Sequence, residues 1–262
     1  MTSESIGRVD VVVLTKNSAR VLRECLSSIY RNVPVNNLII IDGYSTDETL
    51  DIVRGFQERH GNVKLVQTKG ARGYARQRGI EMVETDWFMF VDSDVVLCRD
   101  WFRRALRYVE DDVGAVWGME LWSVLLRSKR ALGLFERANI RVFKQRGGTH
   151  DILIRHEAIE GIRIPPDLHT YEDAYIKRWI SKRGFKVIAT YDPYCIHFRP
   201  EDAWTLKGSM RIIANDITHA VKYPELFLAY SFFAAIVAQQ MLRRQTETRQ
   251  NLRPSAQRLT SH

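Results

Sequence analysis

Short apolar runs that stop abruptly at polar residues organise the first hundred positions of the chain. They cover residues 10–14, 36–41, 63–66 and 87–91 and are rich in Val, Ile, Leu and Phe. Runs of this length and composition are typical of strands buried on both faces of a sheet. We therefore predict four strands in this part of the chain.

Amphipathic stretches separate those runs. The first carries an apolar helical face made of Leu22, Cys25, Leu26 and Ile29. In the second, Ser45 and Glu48 form a capping-box pattern that predicts a helix extending through Phe56. Alternating strands and helices are typical of parallel sheets with right-handed crossovers. The pattern predicts an α/β fold with a doubly wound, mostly parallel sheet, the first half of which is a Rossmann-like nucleotide-binding unit.

The pattern in the second half of the chain predicts both helices and strands, without the regular alternation of the first half. We expect helices at 101–109, 121–143 and 171–183, and strands at 113–116, 151–154 and 186–190. Residues 206–221 carry one apolar helical face, and the apolar stretch 226–238 is too short to cross a bilayer, which requires about 20 residues. We therefore expect one domain over residues 1–222 and a helical C-terminal appendage over 223–262, an amphipathic helix followed by a basic, disordered tail.

Composition and charge narrow the classes of partner. The chain has 262 residues, 45% of them hydrophobic, and a net charge of +8, which indicates a folded protein that favours anionic partners. Since the positive charge forms no dense basic block with interleaved aromatic residues, we expect no nucleic acid. The three cysteines, Cys25, Cys98 and Cys195, lie far apart without metal-ligand spacing, and the N-terminal segment is short and polar. We expect a cytoplasmic protein without disulfides or a signal peptide.

Two carboxylates end the fourth run, Asp92 and Asp94, with Ser93 between them. The carboxyl ends of parallel strands form the ligand-binding edge of an open sheet. Neighbouring carboxylates repel each other unless a cation lies between them, and hard oxygen ligands favour Mg²⁺ or Mn²⁺. A cation held by so few protein ligands commonly binds phosphate oxygens as well, so the motif predicts a nucleotide diphosphate. Taken alone, such a motif is more often a solvated corner between strand and loop.

The ends of the other predicted strands add polar side chains at the same edge. Thr15 and Asn17 follow the first strand, and Asp42 ends the second. After the third strand, the glycine-rich segment 69–79 carries Arg72 and Arg76, and glycine backbone together with arginine suits a phosphate. An exposed basic helix face would have the same composition, so both interpretations of this segment stay open.

Two acids, Glu172 and Asp173, begin the helix predicted at 171–183. Acids at a helix start complement the macrodipole, which is a sufficient structural explanation, but an active-site carboxylate would occupy the same position. His197 lies in an apolar strand, where a histidine is by default a core residue. Before the strand at 151–154, a turn rich in glycine allows unusual backbone torsions beside a substrate, and its residues are Gly147, Gly148 and Thr149.

In this order, and at these strand ends, the motifs resemble those of the family 2 glycosyltransferases, inverting enzymes of the GT-A fold that use nucleotide sugars. The resemblance extends from Val9 to Arg199. It implies that Asp173 is the catalytic base, with Glu172 beside it. The implied ligands of Mg²⁺ or Mn²⁺ are Asp92, Asp94 and His197. The implied donor contacts are Thr15, Asn17, Asp42, Arg72, Arg76, Asp92 and Ser93, and the implied acceptor-side residues are Gly147, Gly148 and Thr149.

The function that follows is metal-dependent, inverting transfer of a sugar from a UDP- or GDP-sugar to a hydroxyl or lipid-phosphate acceptor. A polyprenyl-phosphate sugar synthase is the main alternative, because the basic segment 121–146 would suit a membrane surface. Residues 203–242 would then contact the cytosolic face of the membrane, or pair in a homo-oligomer. More remote are a non-catalytic nucleotide-binding protein and a sugar-phosphate nucleotidyltransferase. The latter would require a glycine-rich loop at residues 15–17, where Thr15, Lys16 and Asn17 stand.

Overall fold

The computed structural model describes residues 6–122, 149–169 and 172–198. All of them belong to one compact unit. Among these residues, no helix is both long and apolar enough to cross a membrane. The predicted domain boundary at residue 222, the apolar stretch 226–238 and the C-terminal tail lie outside the described residues and stay predictions.

Strands and helices alternate along the described chain. The strands are β1 (Val9–Thr15), β2 (Val35–Asp42), β3 (Val63–Gln67), β4 (Trp87–Asp92), β5 (Val95–Leu97), β6 (Val113–Trp122), β7 (Asp151–Arg155) and β8 (Lys186–His197). The helices are α1 (Ala19–Asn32), α2 (Thr49–His60), α3 (Arg72–Ile80), α4 (Trp101–Ala105) and α5 (Glu172–Lys182). Short 3-10 turns cover Leu106–Tyr108 and Glu157–Ile159.

The described strands form one eight-stranded sheet in the order β3-β2-β1-β4-β7-β6-β8-β5. The pairs among β1, β2, β3 and β4 are all parallel. In the second half, β7 is antiparallel to β4 and to β6, β6 is parallel to β8, and β5 is antiparallel to β8. The predicted α/β fold with a Rossmann-like first half is therefore confirmed, and the sheet becomes mixed beyond β4.

Helices cover both faces of this sheet. On one face, α1, α2 and α4 pack against residues such as Val11, Val13 and Met89. On the other, α3 and α5 pack against residues such as Val12 and Phe88. Because alternate residues of a strand point to opposite faces, a strand covered on both sides must be apolar at nearly every position. This is why the central strands read as unbroken apolar runs in the sequence.

Several boundaries differ from the predicted ones, and strand β8, for example, extends to His197 instead of ending at residue 190. Leu121 and Trp122 continue strand β6, where the sequence predicted the start of a helix, because they pair with Ile196 and His197 of β8. The remainder of that helix, 123–143, lies outside the described residues. Helix α4 ends at Ala105, and a 3-10 turn follows it. Strand β5 was not predicted, since its three residues are too few to show a period.

The predicted capping box at the start of α2 is wrong. The helix begins at Thr49, and its N-cap residue, Glu48, makes no side-chain cap hydrogen bond. Ser45 instead donates its hydroxyl to Asp42 Oδ1, at 2.5 Å. This hydrogen bond to a buried carboxylate is charge-assisted, and such bonds are about twice as strong as the neutral bond in which the Ser45 hydroxyl would accept from a helix N–H.

Candidate active site

The polar ends of the four parallel strands lie side by side. In the strand pairing, Thr15 lies opposite Asp42, Asp42 opposite Gln67, and Leu14 opposite Asp92. The carboxyl ends of these strands therefore form one continuous edge, as the sequence predicted. Side chains as far as 103 positions apart in the chain interact there.

Asp42 is the anchor of the first part of this edge. Its Oδ1 accepts hydrogen bonds from Thr15 Oγ1 at 2.9 Å and from the Ser45 hydroxyl, and its Oδ2 accepts from Ser45 N at 2.9 Å and Gln67 Nε2 at 3.0 Å. Burial by itself raises the pKa of Asp42, but the Ser45, Gln67 and Thr15 hydrogen bonds outweigh it and hold the pKa below its usual value. Asp42 is thus an ionised, fully buried carboxylate that fixes the loop after β2.

The loops after β1 and β2 are tied together by Asn17. Its backbone N–H donates to Ser45 Oγ at 2.9 Å, and its Oδ1 accepts from Thr46 N at 2.8 Å. Asn17 has a positive φ of 50°, and Tyr44 has a φ of 59° with its side chain 48% exposed. The Lys69 ammonium lies 5.2 Å from the Tyr44 ring centroid. These contacts shape the outer rim of the edge.

Arg76 and Asp92 form a partly buried ion pair at the centre of the edge. Arg76 Nη2 lies 2.7 Å from Asp92 Oδ1 and 2.7 Å from Thr149 Oγ1, and the guanidinium carbon lies 4.6 Å from the Phe90 ring centroid. Burial raises the pKa of Asp92, but the charge of Arg76, with smaller contributions from His197 and Arg72, lowers it below the usual value. Asp92 is therefore held as a carboxylate.

Helix α3 brings Arg76 inward because it lies very close to the sheet. A Cβ added at Gly79 would lie 2.5 Å from Val12 Cγ1, so this close approach requires glycine. Arg76 is 2% exposed, whereas Arg72, one turn earlier, is exposed. Arg72 therefore lies on the exposed basic helix face that the sequence allowed, whereas Arg76 lies inside the edge of the sheet, and a phosphate contact of either arginine stays a prediction.

A second cluster joins Asp94, His197 and Glu120. His197 Nε2 lies 3.0 Å from Asp94 Oδ2, and His197 Nδ1 lies 2.6 Å from Glu120 Oε1. Strand β8 lies between β5 and β6, with His197 opposite Val95 on one side and Trp122 on the other. The Asp94 carboxylate precedes β5 directly, so this three-strand arrangement brings both acids to one imidazole. Beside it, Ser93 Oγ lies 2.9 Å from Ser18 Oγ.

The start of α5 lies beside the same arginines. Glu172 is 4% exposed, and its pKa is raised by burial and then by the neighbouring Asp173, while Arg76 and Arg72 oppose the rise. The Asp173 Oδ1 accepts from Ala174 N at 2.7 Å. The charges of Arg76 and Arg72 favour a lower pKa for both Asp92 and Glu172. The helix start and the Asp-Ser-Asp motif therefore share one electrostatic environment.

Residues 10–124 match the sequence model of the family described as Glycosyl transferase family 2. This part of the chain is similar to the family 2 glycosyltransferases. The matched segment includes β1 to β4 and the Asp-Ser-Asp motif. The resemblance predicted from the sequence is therefore confirmed over this segment.

Curated relatives of this chain match over short segments. The PGL/p-HBAD biosynthesis glycosyltransferase of Mycobacterium bovis (strain BCG / Pasteur 1173P2) is 34% identical over 87 residues, which are 32% of this chain and 34% of that protein. Glycosyltransferase SunS of Bacillus phage SPbeta is 31% identical over 83 residues, which are 31% of this chain and 19% of that protein. The chain thus matches about a third or less of the length of these relatives.

Solved structures share the fold over more of the chain. Mannosyltransferase PcManGT from Pyrobaculum calidifontis, in complex with GDP-Man and Mn²⁺, has a TM-score of 0.65 and 21% identity, over 83% of this chain and 66% of its own. S. aureus TarS 1–349, in complex with UDP-GlcNAc, has a TM-score of 0.58 and 19% identity, over 74% of this chain and 60% of its own. The predicted GT-A fold is confirmed.

Most of the site residues predicted from the sequence lie at the carboxyl edge of the sheet. The ion pair with Arg76 and the bond to His197 place both aspartates of the motif there. Thr149 also joins them through Arg76, whereas Gly147 and Gly148 lie outside the described residues. Their roles toward donor, acceptor and metal stay predictions.

Glu120 is the residue at this edge that the sequence did not predict. It is 2% exposed, within the otherwise apolar strand β6. A single acid inside an apolar run is the sequence signal that could have found it, since a buried carboxylate is costly without a partner. The partner, His197, is 77 positions away in the chain.

A further group of candidate metal ligands lies beneath the edge. His150, Asp151 and Cys195 are buried, and their donor atoms lie within 4.8 Å of one another. However, His150 Nδ1 lies only 2.5 Å from Asp151 Oδ1, closer than the roughly 3.3 Å between two ligands that each lie about 2.0 Å from a tetrahedral zinc. Asp151 Oδ2 also accepts from Trp101 Nε1 at 2.8 Å. This geometry is that of a buried hydrogen-bonded network.

Proposed function

We propose that this chain is a metal-dependent, inverting glycosyltransferase that moves a sugar from a UDP- or GDP-sugar to an acceptor hydroxyl. The observation that carries the proposal is that Asp92 and Asp94 each have a distinct partner at one sheet edge, Arg76 and His197. The names of two fold relatives support the donor class, since one was solved with GDP-Man and Mn²⁺ and the other with UDP-GlcNAc.

The described residues fit a divalent cation at Asp94 and His197. The carboxylate oxygen of Asp94 is a ligand type that Mn²⁺ and Mg²⁺ accept in proteins, and the imidazole nitrogen 3.0 Å from it is a common metal ligand. Glu120 engages Nδ1 of the ring, so Nε2 is the nitrogen directed toward Asp94. When bound, the cation would supply positive charge against the charge that develops on the departing diphosphate.

The arginines would contribute a second source of positive charge. Arg76 has two buried nitrogens, Nε and Nη1, for which the described structure shows no hydrogen-bond partner. Buried donors of this kind are costly unless an acceptor reaches them, and a diphosphate oxygen is such an acceptor. Arg72 is exposed one turn away on α3. We therefore assign the diphosphate to the side of the edge where α3 begins.

Asp173 would serve as the general base. Its carboxylate lies at the first turn of α5, partly exposed, next to the buried Glu172, whose pKa is raised. In an inverting transfer, a carboxylate accepts the proton of the acceptor hydroxyl as the new glycosidic bond forms on the face opposite the leaving group. A phosphate acceptor would need this base less, because it is already an anion.

The acceptor that we propose is a hydroxyl group. One curated relative is named a poly(ribitol-phosphate) beta-glucosyltransferase, which supports a hydroxyl-bearing polymer. The polyprenyl-phosphate alternative depended on segments 121–146 and 203–242, which lie mainly outside the described residues. That alternative stays a prediction, as do the membrane contact, the cytoplasmic location and the homo-oligomer.

The decisive experiment compares Asp173→Asn with the wild type in two assays. A thermal-shift screen of UDP- and GDP-sugars, with and without Mn²⁺, identifies the donor, and NMR of the product gives the anomeric configuration. We expect Asp173→Asn to bind donor normally and to lose transfer by about 10²–10⁴-fold, the usual contribution of a general base. The control is Asp51→Asn, since this exposed acid on α2 pairs only locally with Arg54. Full transfer activity in Asp173→Asn, or a retained anomeric configuration, would contradict the proposal.

A further inference from the structure

Glu120 is a buried acidic side chain at this site. It is 2% exposed, and one of its oxygens lies 2.6 Å from His197 Nδ1. Burying an ionised carboxylate costs several kcal/mol unless strong hydrogen bonds compensate for the lost hydration. The contacts of Glu120 must therefore offset the free-energy cost of burying an acid in this apolar strand.

The strand register fixes this contact. In the parallel pair of β6 and β8, Glu120 lies opposite Cys195, and Trp122 lies opposite His197. Because side chains alternate along a strand, Glu120 and His197 point to the same face, displaced by two residues along the pair. Two neighbouring strands hold the carboxylate and the ring, so neither side chain depends on a loop for its position.

The contact with Glu120 can determine which nitrogen of the His197 imidazole carries the proton. A neutral histidine can carry its proton on either nitrogen, and the hydrogen bond made by one nitrogen decides which form the ring takes. A carboxylate on Nδ1 retains the proton there and leaves the Nε2 lone pair for a metal. The same hydrogen bond also fixes the ring orientation and raises the basicity of the ligand.

We propose that Glu120 is a positioning residue for the metal site: it holds His197 in the tautomer and orientation that let Nε2 bind a divalent cation beside Asp94. This inference rests on the proposed function. Glu120 itself would not touch the substrate. It acts through His197, whose Nε2 lies 3.0 Å from Asp94 Oδ2.

The test measures metal affinity directly. Glu120→Gln keeps the size and one acceptor oxygen but removes the charge, and Glu120→Ala removes both. Electron paramagnetic resonance of free Mn²⁺ gives the metal affinity in the presence of UDP or GDP. We expect the affinity to fall by about 10–100-fold in Glu120→Ala and by less in Glu120→Gln, the range known for residues that orient a metal ligand. The matched control is Glu84→Gln, an exposed glutamate that contacts Lys64, for which we expect no change.

A double-mutant cycle separates positioning from a merely structural role. If Glu120 acts through the ring, Glu120→Gln should have no further effect on Mn²⁺ affinity in a His197→Ala background. Additive effects would overturn the inference, as would wild-type affinity in both Glu120 variants. If both variants fail to fold, Glu120 is a structural residue, and the inference is equally wrong.

The same experiment keeps this inference apart from the proposed function. If the wild-type protein binds neither Mn²⁺ nor Mg²⁺ with UDP or GDP, metal dependence itself is refuted, and the role of Glu120 falls with it. If the wild type binds the metal and the Glu120 variants bind it equally well, only the positioning role is refuted.

Discussion

Replacing Arg76 with methionine tests whether this buried cation stabilises the fold or binds the donor. Methionine preserves most of the aliphatic stem but removes the charge and all the donors. The guanidinium contacts Asp92, Thr149 and the Phe90 ring, so the substitution removes an ion pair, a hydrogen bond and a cation–π contact together. If Arg76 were purely structural, this substitution would strongly lower the free energy of unfolding.

The magnitudes predict a mild effect on stability. Removing one partner of a fully buried pair costs about 3–5 kcal/mol, but the Asp92 side chain is 31% exposed, so water screens the charge left behind, and we expect about 1–2 kcal/mol. The Thr149 hydrogen bond and the cation–π contact contribute about 1 kcal/mol each. Against this, methionine removes two buried donors that lack partners among the described residues, each of which costs about 1–3 kcal/mol. The opposing effects nearly cancel.

We therefore expect the free energy of unfolding of Arg76→Met, measured with urea, to lie within about 2 kcal/mol of the wild type. Affinity for the nucleotide diphosphate, measured by calorimetry, should fall by roughly 10–100-fold, the equivalent of one or two lost charge-assisted hydrogen bonds. The control is Arg78→Met, because Arg78 lies on the same helix but is paired at the surface with Glu81. A variant that loses more than about 3 kcal/mol while binding nucleotide normally would refute the reasoning and make Arg76 structural.

Three further predictions follow from the described contacts. Gly118→Ala should lower the free energy of unfolding by about 1–3 kcal/mol, because its Cβ would lie 2.3 Å from Asp151 Oδ2. Gly55→Ala, in open space on helix α2, should raise it by about 0.5–1 kcal/mol. Urea unfolding measures both variants, and equal effects would contradict the prediction. Because the pKa of Asp42 is lowered on folding, its contribution to stability is present above the unfolded value of 3.8 and is lost as the pH falls through the lower folded pKa. Urea midpoints should therefore drop more steeply below pH 4 in the wild type than in Asp42→Asn, and parallel curves would argue against a stabilised carboxylate. Thr149→Val should weaken nucleotide binding less than Arg76→Met does, since it removes only one of the contacts that orient the guanidinium; calorimetry of both variants checks this order.

The parts of the fold that the sequence predicted are those where burial alone determines the pattern. A strand covered on both faces must be apolar throughout, so β1, β2 and β4 are visible as runs, and the polar residues that end them mark the edge of the sheet. Because parallel strands align their ends, Thr15, Asp42 and Asp92 could be assigned to one edge without coordinates. The structure confirms that placement.

The parts that could not be predicted depend on partners far away in the chain. Leu121 and Trp122 are strand residues only because β8 pairs with them, and the helical composition around them gave the opposite prediction. Ser45 suits a capping box, but the competing acceptor, Asp42, becomes visible only when the loop is folded over it. Glu120 likewise lacks any local signal beyond being an acid among apolar neighbours.

The two aspartates of the Asp-Ser-Asp motif are not equivalent, and this explains where a cation would be needed. Asp92 already faces a fixed positive charge, Arg76, at 2.7 Å, so a metal placed there would compete with a guanidinium. Asp94 faces an imidazole whose other nitrogen contacts a carboxylate, so two acids share one ring at this position. Two carboxylates gathered around one ring repel each other until positive charge balances them. On this reasoning we propose that the metal would bind at Asp94 and His197, whereas Asp92 would orient Arg76 toward the donor phosphates.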